Sequence, residues 1–335
     1  MLLQSLLLAT TLLTPPADSL VEMAGDRLHI VLHTPGNGFY RGTRFDRAGV
    51  FDSIIWEGTE MAGRWFETYD PYQHDAVLGP AEEFSPQGYE EAALGGTFLK
   101  IGVGKLVRTD GKPYNRFSLY PIQDSGQWTV RSDGDTVTFT QVLPEYTYRK
   151  EVFLTSDHGF AIRHTLVNTG EDTLSGEVYN HNFFTLGRLG AGPDWEADLP
   201  FPPVGIWRGE YDSVESTREG FRFSRPLEGK EWIQMNDVRS ARGGILPYRF
   251  TVRDKGTGLS VRVRGDCDMD HAVFWANARI ACLEPYNRYD VAPGTSFTWR
   301  IDYTFGNTQE KSSSMVRCVS RYSLGVHPKR LPNSL

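Results

Sequence analysis

The chain is poor in cysteine, and its three cysteines are far apart, at positions 267, 282 and 318. Zinc sites built from cysteine usually pair their ligands within a few residues, so this spacing argues against one. Cys267 and Cys282 could bridge adjacent strands in an oxidising compartment, although reduced, buried cysteines are the more usual case. The cysteines therefore predict no metal site and leave one disulfide open.

Common cofactor and catalytic motifs are missing as well. The chain has no glycine-rich phosphate loop, no His-Glu-x-x-His, no Cys-x-x-Cys and no nucleophile elbow. Its formal net charge is −7 and its basic residues are scattered, which argues against a nucleic-acid partner because phosphates require a concentrated basic face. We therefore predict no cofactor, no metal and no nucleic acid.

Long apolar runs are absent except at the N-terminus, which reads MLLQSLLLATTLLTPPADSL. Its apolar part has the length of a signal-peptide core, is too short to span a bilayer, and ends at two prolines with Ala17 as a small residue for cleavage. We predict a signal peptide over residues 1–17 and a secreted or periplasmic protein without a membrane segment after cleavage. No lysine or arginine precedes the apolar run, so a buried N-terminal helix is the alternative.

The rest of the chain is rich in strand-forming residues, with 15 Tyr, 19 Phe and 8 Trp. Short runs such as RLHIVLHT, VFDSIIWEG and YTYRKEVFLT alternate with period two and are separated by turn residues, and no segment has a convincing long helical period. Half-buried strands need a second layer over their apolar face. The pattern predicts an all-β, antiparallel sandwich or barrel with few or no helices.

The strand pattern continues without a linker, so we predict one β domain over residues 18–306, followed by a polar tail at 307–335. WTVRSDGDTVTFTQ predicts a β-hairpin around Asp-Gly, and LVNTGEDTLSGEVYN predicts a second with a longer loop. Residues 187–217, rich in Gly, Pro, Asp and Trp, predict a long ordered loop over one face.

Two segments resemble the aldose 1-epimerases, also called galactose mutarotases: YNHNFFTLG at 179–187 and ACLEPYNRYDVAPGTSFTWRIDYTF at 281–305. The resemblance implies that family's fold, a large twisted antiparallel β-sandwich with a sugar site on one face. It also implies that His181 is the acid that protonates the ring oxygen and that Glu284 is the base for the anomeric hydroxyl.

The chemistry of hemiacetal opening agrees with these two residue types. One oxygen must gain a proton while another loses one, and both groups should titrate near the working pH. Histidine does so unperturbed, and a glutamate partly buried beside Leu283 and Tyr286 has a raised pKa. A core histidine and a solvated edge glutamate are the alternative interpretations.

Further substrate contacts are expected beside these two residues. Asn180 and Asn182 flank the histidine and could orient it or the sugar. His74 and Arg44 are the nearest counterparts of the family's second histidine and its arginine, because the family's usual signatures for these two residues are not found.

The acidic and aromatic candidates each have an alternative role. Glu82 and Glu83 could bind sugar hydroxyls, or lie in a solvated acidic loop. Trp195 or Trp65 could stack on a pyranose ring. Asp194 is a further candidate contact, although turn capping is the usual role of an aspartate in such a segment.

The sequence thus favours a carbohydrate-active enzyme of the aldose 1-epimerase type, acting on a mono- or oligosaccharide. A lyase or hydrolase of the same fold, a non-catalytic carbohydrate-binding protein and a structural module are the alternatives. The catalytic interpretations require that His181 and Glu284 face one cavity, a single pyranose ring apart.

Overall fold

A computed structural model describes residues 20–64 and 66–307 as twenty-three strands and one 3-10 turn. The predicted signal peptide, Trp65 and the predicted tail beyond Asn307 lie outside the described residues. Within the described part no helix has the length and apolarity needed to cross a membrane.

The strands are β1 (Leu20–Ala24), β2 (Leu28–His33), β3 (Val50–Trp56), β4 (Thr59–Glu60), β5 (Ala81–Phe84), β6 (Thr97–Lys100), β7 (Gly104–Val107), β8 (Ile122–Asp124), β9 (Gln127–Asp133), β10 (Thr136–Val142), β11 (Tyr146–Ser156), β12 (Gly159–Asn168), β13 (Leu174–His181), β14 (Trp195–Asp198), β15 (Pro203–Gly209), β16 (Val214–Thr217), β17 (Gly220–Phe223), β18 (Trp232–Ser240), β19 (Arg249–Asp254), β20 (Leu259–Gly265), β21 (His271–Asn277), β22 (Ala281–Val291) and β23 (Ser296–Asn307). The 3-10 turn is Tyr211–Ser213, between β15 and β16.

Two large antiparallel sheets make up most of the fold. One has ten strands in the order β16-β17-β14-β19-β20-β23-β12-β11-β10-β9, and the other has six in the order β15-β18-β21-β22-β13-β5. Two smaller sheets, β1-β2-β3-β4 and β6-β7-β8, complete the described part. The predicted all-β sandwich architecture is confirmed, and the single domain over residues 18–306 stays a prediction.

The main core lies between the two large sheets and is built by strand alternation. Ile162 and Leu166 of β12 in the ten-stranded sheet, and Val178 of β13 and Leu283 of β22 in the six-stranded sheet, belong to one buried cluster. Because successive side chains of a strand point to opposite faces, their neighbours in sequence face away from this cluster. In the six-stranded sheet those neighbours form a second, outer face.

One of the two predicted hairpins is confirmed, and the other is wrong. β9 and β10 pair directly, with Asp133 opposite Thr136 across the Asp-Gly turn. β12 and β13 do not pair, since β12 lies between β11 and β23 while β13 lies between β22 and β5. The chain crosses here from one large sheet to the other, which an alternating pattern alone cannot distinguish from a hairpin.

The predicted long loop at residues 187–217 is also wrong. It contains three strands, β14, β15 and β16, which join the two large sheets. Four of the glycines and prolines in this segment precede β14 and two lie between β14 and β15, whereas Pro203, Gly205 and Gly209 lie within β15 itself.

An ion pair inside the core joins the two large sheets. Glu82 of β5 is fully buried, and its carboxylate accepts a hydrogen bond from Lys150 Nζ of β11 at 2.5 Å and lies 3.0 Å from His164 Nε2 of β12. Burial alone would raise the pKa of Glu82, but Lys150 and His164 lower it to about 2. The carboxylate is therefore charged, and it ties β5 to the opposite sheet.

We expect Glu82→Gln to destabilise the fold by about 3–5 kcal/mol, because the buried Lys150 ammonium would lose its hydrogen-bonded carboxylate and keep only the longer contact with Asp46, at 3.7 Å, among the described residues. Urea unfolding followed by circular dichroism measures the change, with Glu219→Gln as the exposed control. Equal midpoints for the two variants would show that the ion pair does not stabilise the sandwich.

Candidate functional site

The outer face of the six-stranded sheet forms the floor of an open cleft of about 860 Å³. Neighbouring strands contribute to this floor His181 from β13, Glu284 and Tyr286 from β22, Val273 and Trp275 from β21, and Gln234 and Asn236 from β18. Segments outside the sheet supply the walls, namely Arg44, His74 with Asp75, and residues 114–117.

Strand alternation separates the residues of the YNHNFF segment. Tyr179, His181 and Phe183 lie on the cleft side, where Tyr179 and Phe183 belong to a hydrophobic cluster distinct from the main core. Asn180 and Asn182 point the other way, into the sandwich. One face of β13 therefore faces the cleft, and the other packs into the core.

His181 and Glu284 meet on the floor of the cleft. His181 Nε2 lies 3.2 Å from Glu284 Oε1, and both side chains are about 6% exposed. Cys282 Sγ lies behind them, 3.4 Å from His181 Nδ1 and 3.5 Å from Glu284 Oε1. The two residues face one cavity, as the catalytic interpretations require, but they touch and are not a pyranose ring apart.

Tight packing fixes the orientation of the imidazole. The His181 ring stacks on Phe183 at 3.7 Å between centroids and meets Trp275 and Phe45 edge-on at 5.7 and 6.0 Å. Gly79 packs against the same strand, where a Cβ atom would lie 2.3 Å from the carbonyl oxygen of His181. Only glycine allows this close approach of the two backbones.

Burial shifts the pKa values of the pair in opposite directions. It raises the pKa of Glu284 to about 7, and Arg44 and Arg116 oppose this rise. Burial also lowers the pKa of His181 well below its usual value, and the two guanidinium groups lower it further. Both groups therefore favour the neutral form, and below about pH 7 the shared proton resides on Glu284.

Glu83 lies at the edge of the floor and organises several side chains. Its Oε2 accepts a hydrogen bond from Arg44 Nε at 2.7 Å and another from the Tyr179 hydroxyl at 2.6 Å. Its Oε1 lies 3.4 Å from both Lys100 Nζ and Arg116 Nε. Burial raises the pKa of Glu83, but these cations lower it to about 2, so the carboxylate is charged.

Three of the predicted substrate contacts are placed in the core instead. Asn180 donates a hydrogen bond to Glu82 Oε1 at 2.9 Å, and Asn182 donates one to the Leu283 carbonyl oxygen at 2.9 Å. Glu82 is the ion-pair partner of Lys150 described above. The expectation that Asn180, Asn182 and Glu82 contact a substrate is wrong, because strand alternation turns them away from the cleft.

The other acidic and aromatic candidates are also displaced. Glu83 lies beneath the cleft and is 3% exposed, so it supports Arg44 and neither contacts a sugar nor belongs to a solvated loop. Trp195 is buried in the core against Phe223 and Phe274. The predicted sugar contact of Trp195 is therefore wrong.

Asp194 is not a cleft residue either. Its carboxylate pairs with Arg188 at 2.9 Å, and it is not part of the cleft lining. His74 and Arg44 do line the cleft, as expected. Burial lowers the pKa of His74 to about 4, so its imidazole is neutral near pH 7.

Several cleft residues were not singled out from the sequence. Arg116 and Phe117 lie between β7 and β8, where turn-forming residues give no sign of a site. Trp275 lies on β21 in AVFWANAR, which has the pattern of an ordinary strand. The sequence predicts Cys282 either as a disulfide partner of Cys267 or as a small buried residue. Both cysteines are free, and the contact of Cys282 with His181 depends on strand pairing between distant segments.

His181, Cys282 and Glu284 offer donor atoms within 4.8 Å of one another, close enough to consider a metal ion. However, the positive charges of Arg44 and Arg116 act on both His181 and Glu284. A cation at this point would be repelled by both guanidinium groups, so the charge distribution suits proton exchange better than metal binding.

We expect Tyr179→Phe to destabilise the protein by about 1–2 kcal/mol, because its hydroxyl donates to Glu83 and accepts from Arg44 Nη2 at 2.8 Å. Tyr248→Phe is the matched control, since its buried hydroxyl has no hydrogen-bond partner among the described residues. Urea unfolding of both variants tests this. A loss as large for Tyr248→Phe would contradict the proposed role of the Tyr179 hydroxyl.

Comparisons with known proteins concern the fold. No protein-family model matches the chain, and no curated protein matches it in sequence. Its structure is similar to an Escherichia coli protein provisionally assigned as an aldose 1-epimerase, with 12% identity, a TM-score of 0.51 and coverage of 86% of this chain and 99% of that one. It is also similar to a protein of Synechocystis sp. PCC 6803, with 14% identity, a TM-score of 0.50 and coverage of 90% and 100%. The chain thus shares the fold of these two proteins.

Proposed function

We propose that the protein is a carbohydrate-active enzyme that interconverts the anomers of an aldose, with His181 and Glu284 as its acid and base. The observation that carries this proposal is the 3.2 Å contact between His181 Nε2 and Glu284 Oε1 on the floor of an open cleft. The predicted signal peptide further suggests that the substrate is an unphosphorylated sugar outside the cytoplasm.

Contact between the two groups suits the reaction. The ring oxygen and the anomeric hydroxyl of a hemiacetal are bonded to the same carbon, so an acid and a base that serve both must lie close together. A sugar lying over the pair would present C1 to His181 and Glu284 at once. The pair does not need the separation of a whole pyranose ring.

The pair carries the single proton that one ring opening requires. In the resting state burial keeps both groups neutral, with the proton on Glu284. Transfer across the contact to His181 Nε2 produces an imidazolium that can protonate the ring oxygen and a carboxylate that can accept the anomeric proton. Closure of the ring on the other face of the carbonyl reverses these transfers, so the pair is restored after each turnover.

The contact of Cys282 with Nδ1 supports this arrangement. Cys282 is 1% exposed and lies on the buried side of the imidazole. Nε2 is therefore the nitrogen that remains for Glu284 and the sugar. Trp275 on the floor beside the pair and the 57% exposed Phe117 of the wall offer aromatic surface to sugar C–H groups.

We expect His181→Asn and Glu284→Gln each to reduce the enzymatic rate by about 10²–10⁴-fold, the usual contribution of general acid–base catalysis. Freshly dissolved α-aldoses are followed by NMR as they equilibrate, and the buffer rate is subtracted. His29→Asn and Glu219→Gln, on the protein surface, serve as matched controls.

Wild-type rates equal to buffer for every aldose would disprove the epimerase proposal. New reducing ends released from oligosaccharides in the same spectra would point to the hydrolase alternative. Sugar binding without either reaction would leave the binding-protein alternative.

We also predict that activity is highest below about pH 7 and falls as the pH rises further. The active pair must hold one proton, and burial sets the pKa for its loss from Glu284 at about 7. At low pH activity falls only when His181 takes up a second proton, well below the usual histidine range. Buffer-corrected kcat/KM between pH 4 and 9 tests this, and activity that rises through pH 7 would contradict it.

A further inference from the structure

The cleft floor holds more positive charge than its carboxylates neutralise. Glu83 is surrounded by three cations: Arg44 Nε at 2.7 Å, Lys100 Nζ at 3.4 Å and Arg116 Nε at 3.4 Å. A single carboxylate balances one of them. The cluster thus keeps a surplus of about two charges close to the sugar position.

Below about pH 7 the other titratable groups that face the cleft reduce this surplus without cancelling it. Glu284 is largely protonated below about pH 7, as described above. Burial raises the pKa of Asp75 to about 6, so Asp75 contributes at most one negative charge. His74 is neutral. Burial also lowers the pKa of Lys100, but only to about 8, so its ammonium remains charged.

Arg116 is the member of the cluster that can reach a ligand. Lys100 is buried beneath the floor, and the Arg44 side chain lines the cleft but is only 9% exposed, whereas the Arg116 side chain is 39% exposed and lines the cleft. Its guanidinium lies over the Tyr179 ring at 5.7 Å and contacts Tyr286. A guanidinium carries five N–H donors in a fork that matches an oxyanion, and these contacts do not use them all.

Arg116 is not required as a partner of Glu83. That carboxylate already accepts short hydrogen bonds from Arg44 and from the Tyr179 hydroxyl, whereas its contact with Arg116 is long. The long contact with Glu83 does not by itself account for the place of Arg116 in the cleft lining. Its position at the cleft edge is better explained by an anion that arrives with the substrate.

We propose that the cleft selects aldoses that carry an oxyanion, such as the carboxylate of a uronic acid or a sulfate ester, and that Arg116 binds this group. This inference rests on the proposed function for its kinetic readout.

The kinetic test compares galacturonate, galactose 6-sulfate and galactose as substrates of the wild-type protein and Arg116→Met. Since charge-assisted hydrogen bonds are the strong class, we expect kcat/KM for at least one anionic sugar to exceed that for galactose by about tenfold or more. The ratio should fall to within about threefold in Arg116→Met. Which of the two anionic sugars is preferred identifies the oxyanion.

Two further variants guard against a folding artefact. Arg131→Met, at an exposed position on edge strand β9, should keep the wild-type ratio. Arg116→Lys keeps the charge but loses the fork, and its ratio should lie between those of wild type and Arg116→Met. Circular dichroism confirms that each variant is folded. If Arg131→Met lowers the ratio as much as Arg116→Met does, the assignment to Arg116 is overturned.

A binding measurement separates this inference from the proposed function. Isothermal titration of the wild-type protein with the same three sugars needs no turnover. Tighter binding of an anionic sugar, lost in Arg116→Met, would support the selection even if no sugar were epimerised. Galactose turned over or bound as well as both anionic sugars would overturn the selection and leave the epimerase proposal intact.

Discussion

Two adjacent carboxylates on the short strand β5 hold both the sandwich and the cleft in place. Because neighbouring side chains of a strand point to opposite faces, Glu82 enters the core and meets Lys150, whereas Glu83 lies under the cleft and meets Arg44. Both carboxylates are buried, and each stays charged only because cations surround it. The position of the cleft floor relative to the opposite sheet is therefore fixed by charge pairing as well as by apolar packing.

Burial also determines the protonation states of His181 and Glu284 on the cleft floor. Removing His181 and Glu284 from water makes their charged forms costly, so the pair retains one mobile proton instead of a fixed ion pair. Arg44 and Arg116 moderate this effect on Glu284, since they stabilise its carboxylate once the proton leaves. The site combines a poorly solvated floor with nearby positive charge, an arrangement suited to moving a proton between neutral states.

The sequence predicts correctly those features of the fold and the site that depend on a single local pattern. Period-two alternation predicted the all-β architecture, and the YNHNFF and CLEPY segments brought His181 and Glu284 to one cavity. It was misleading where the outcome depends on which strands pair. The local pattern predicts a hairpin between β12 and β13 and a surface or sugar-binding role for Glu82, because nothing local shows which strands pair or which face is buried. The sequence does not identify Arg116, because this residue lies in the connection between β7 and β8 and nothing local shows that this connection forms a wall of the cleft.

The cleft draws its strands from well-separated parts of the chain, and this has a consequence for how the protein matures. Tyr179 and Glu83 are 96 residues apart in sequence, and Cys282 and His181 are 101 apart. Contacts of such long range form slowly, because the chain entropy of closing large loops must be overcome first. The contact between His181 and Glu284 can therefore form only after both halves of the six-stranded sheet have met.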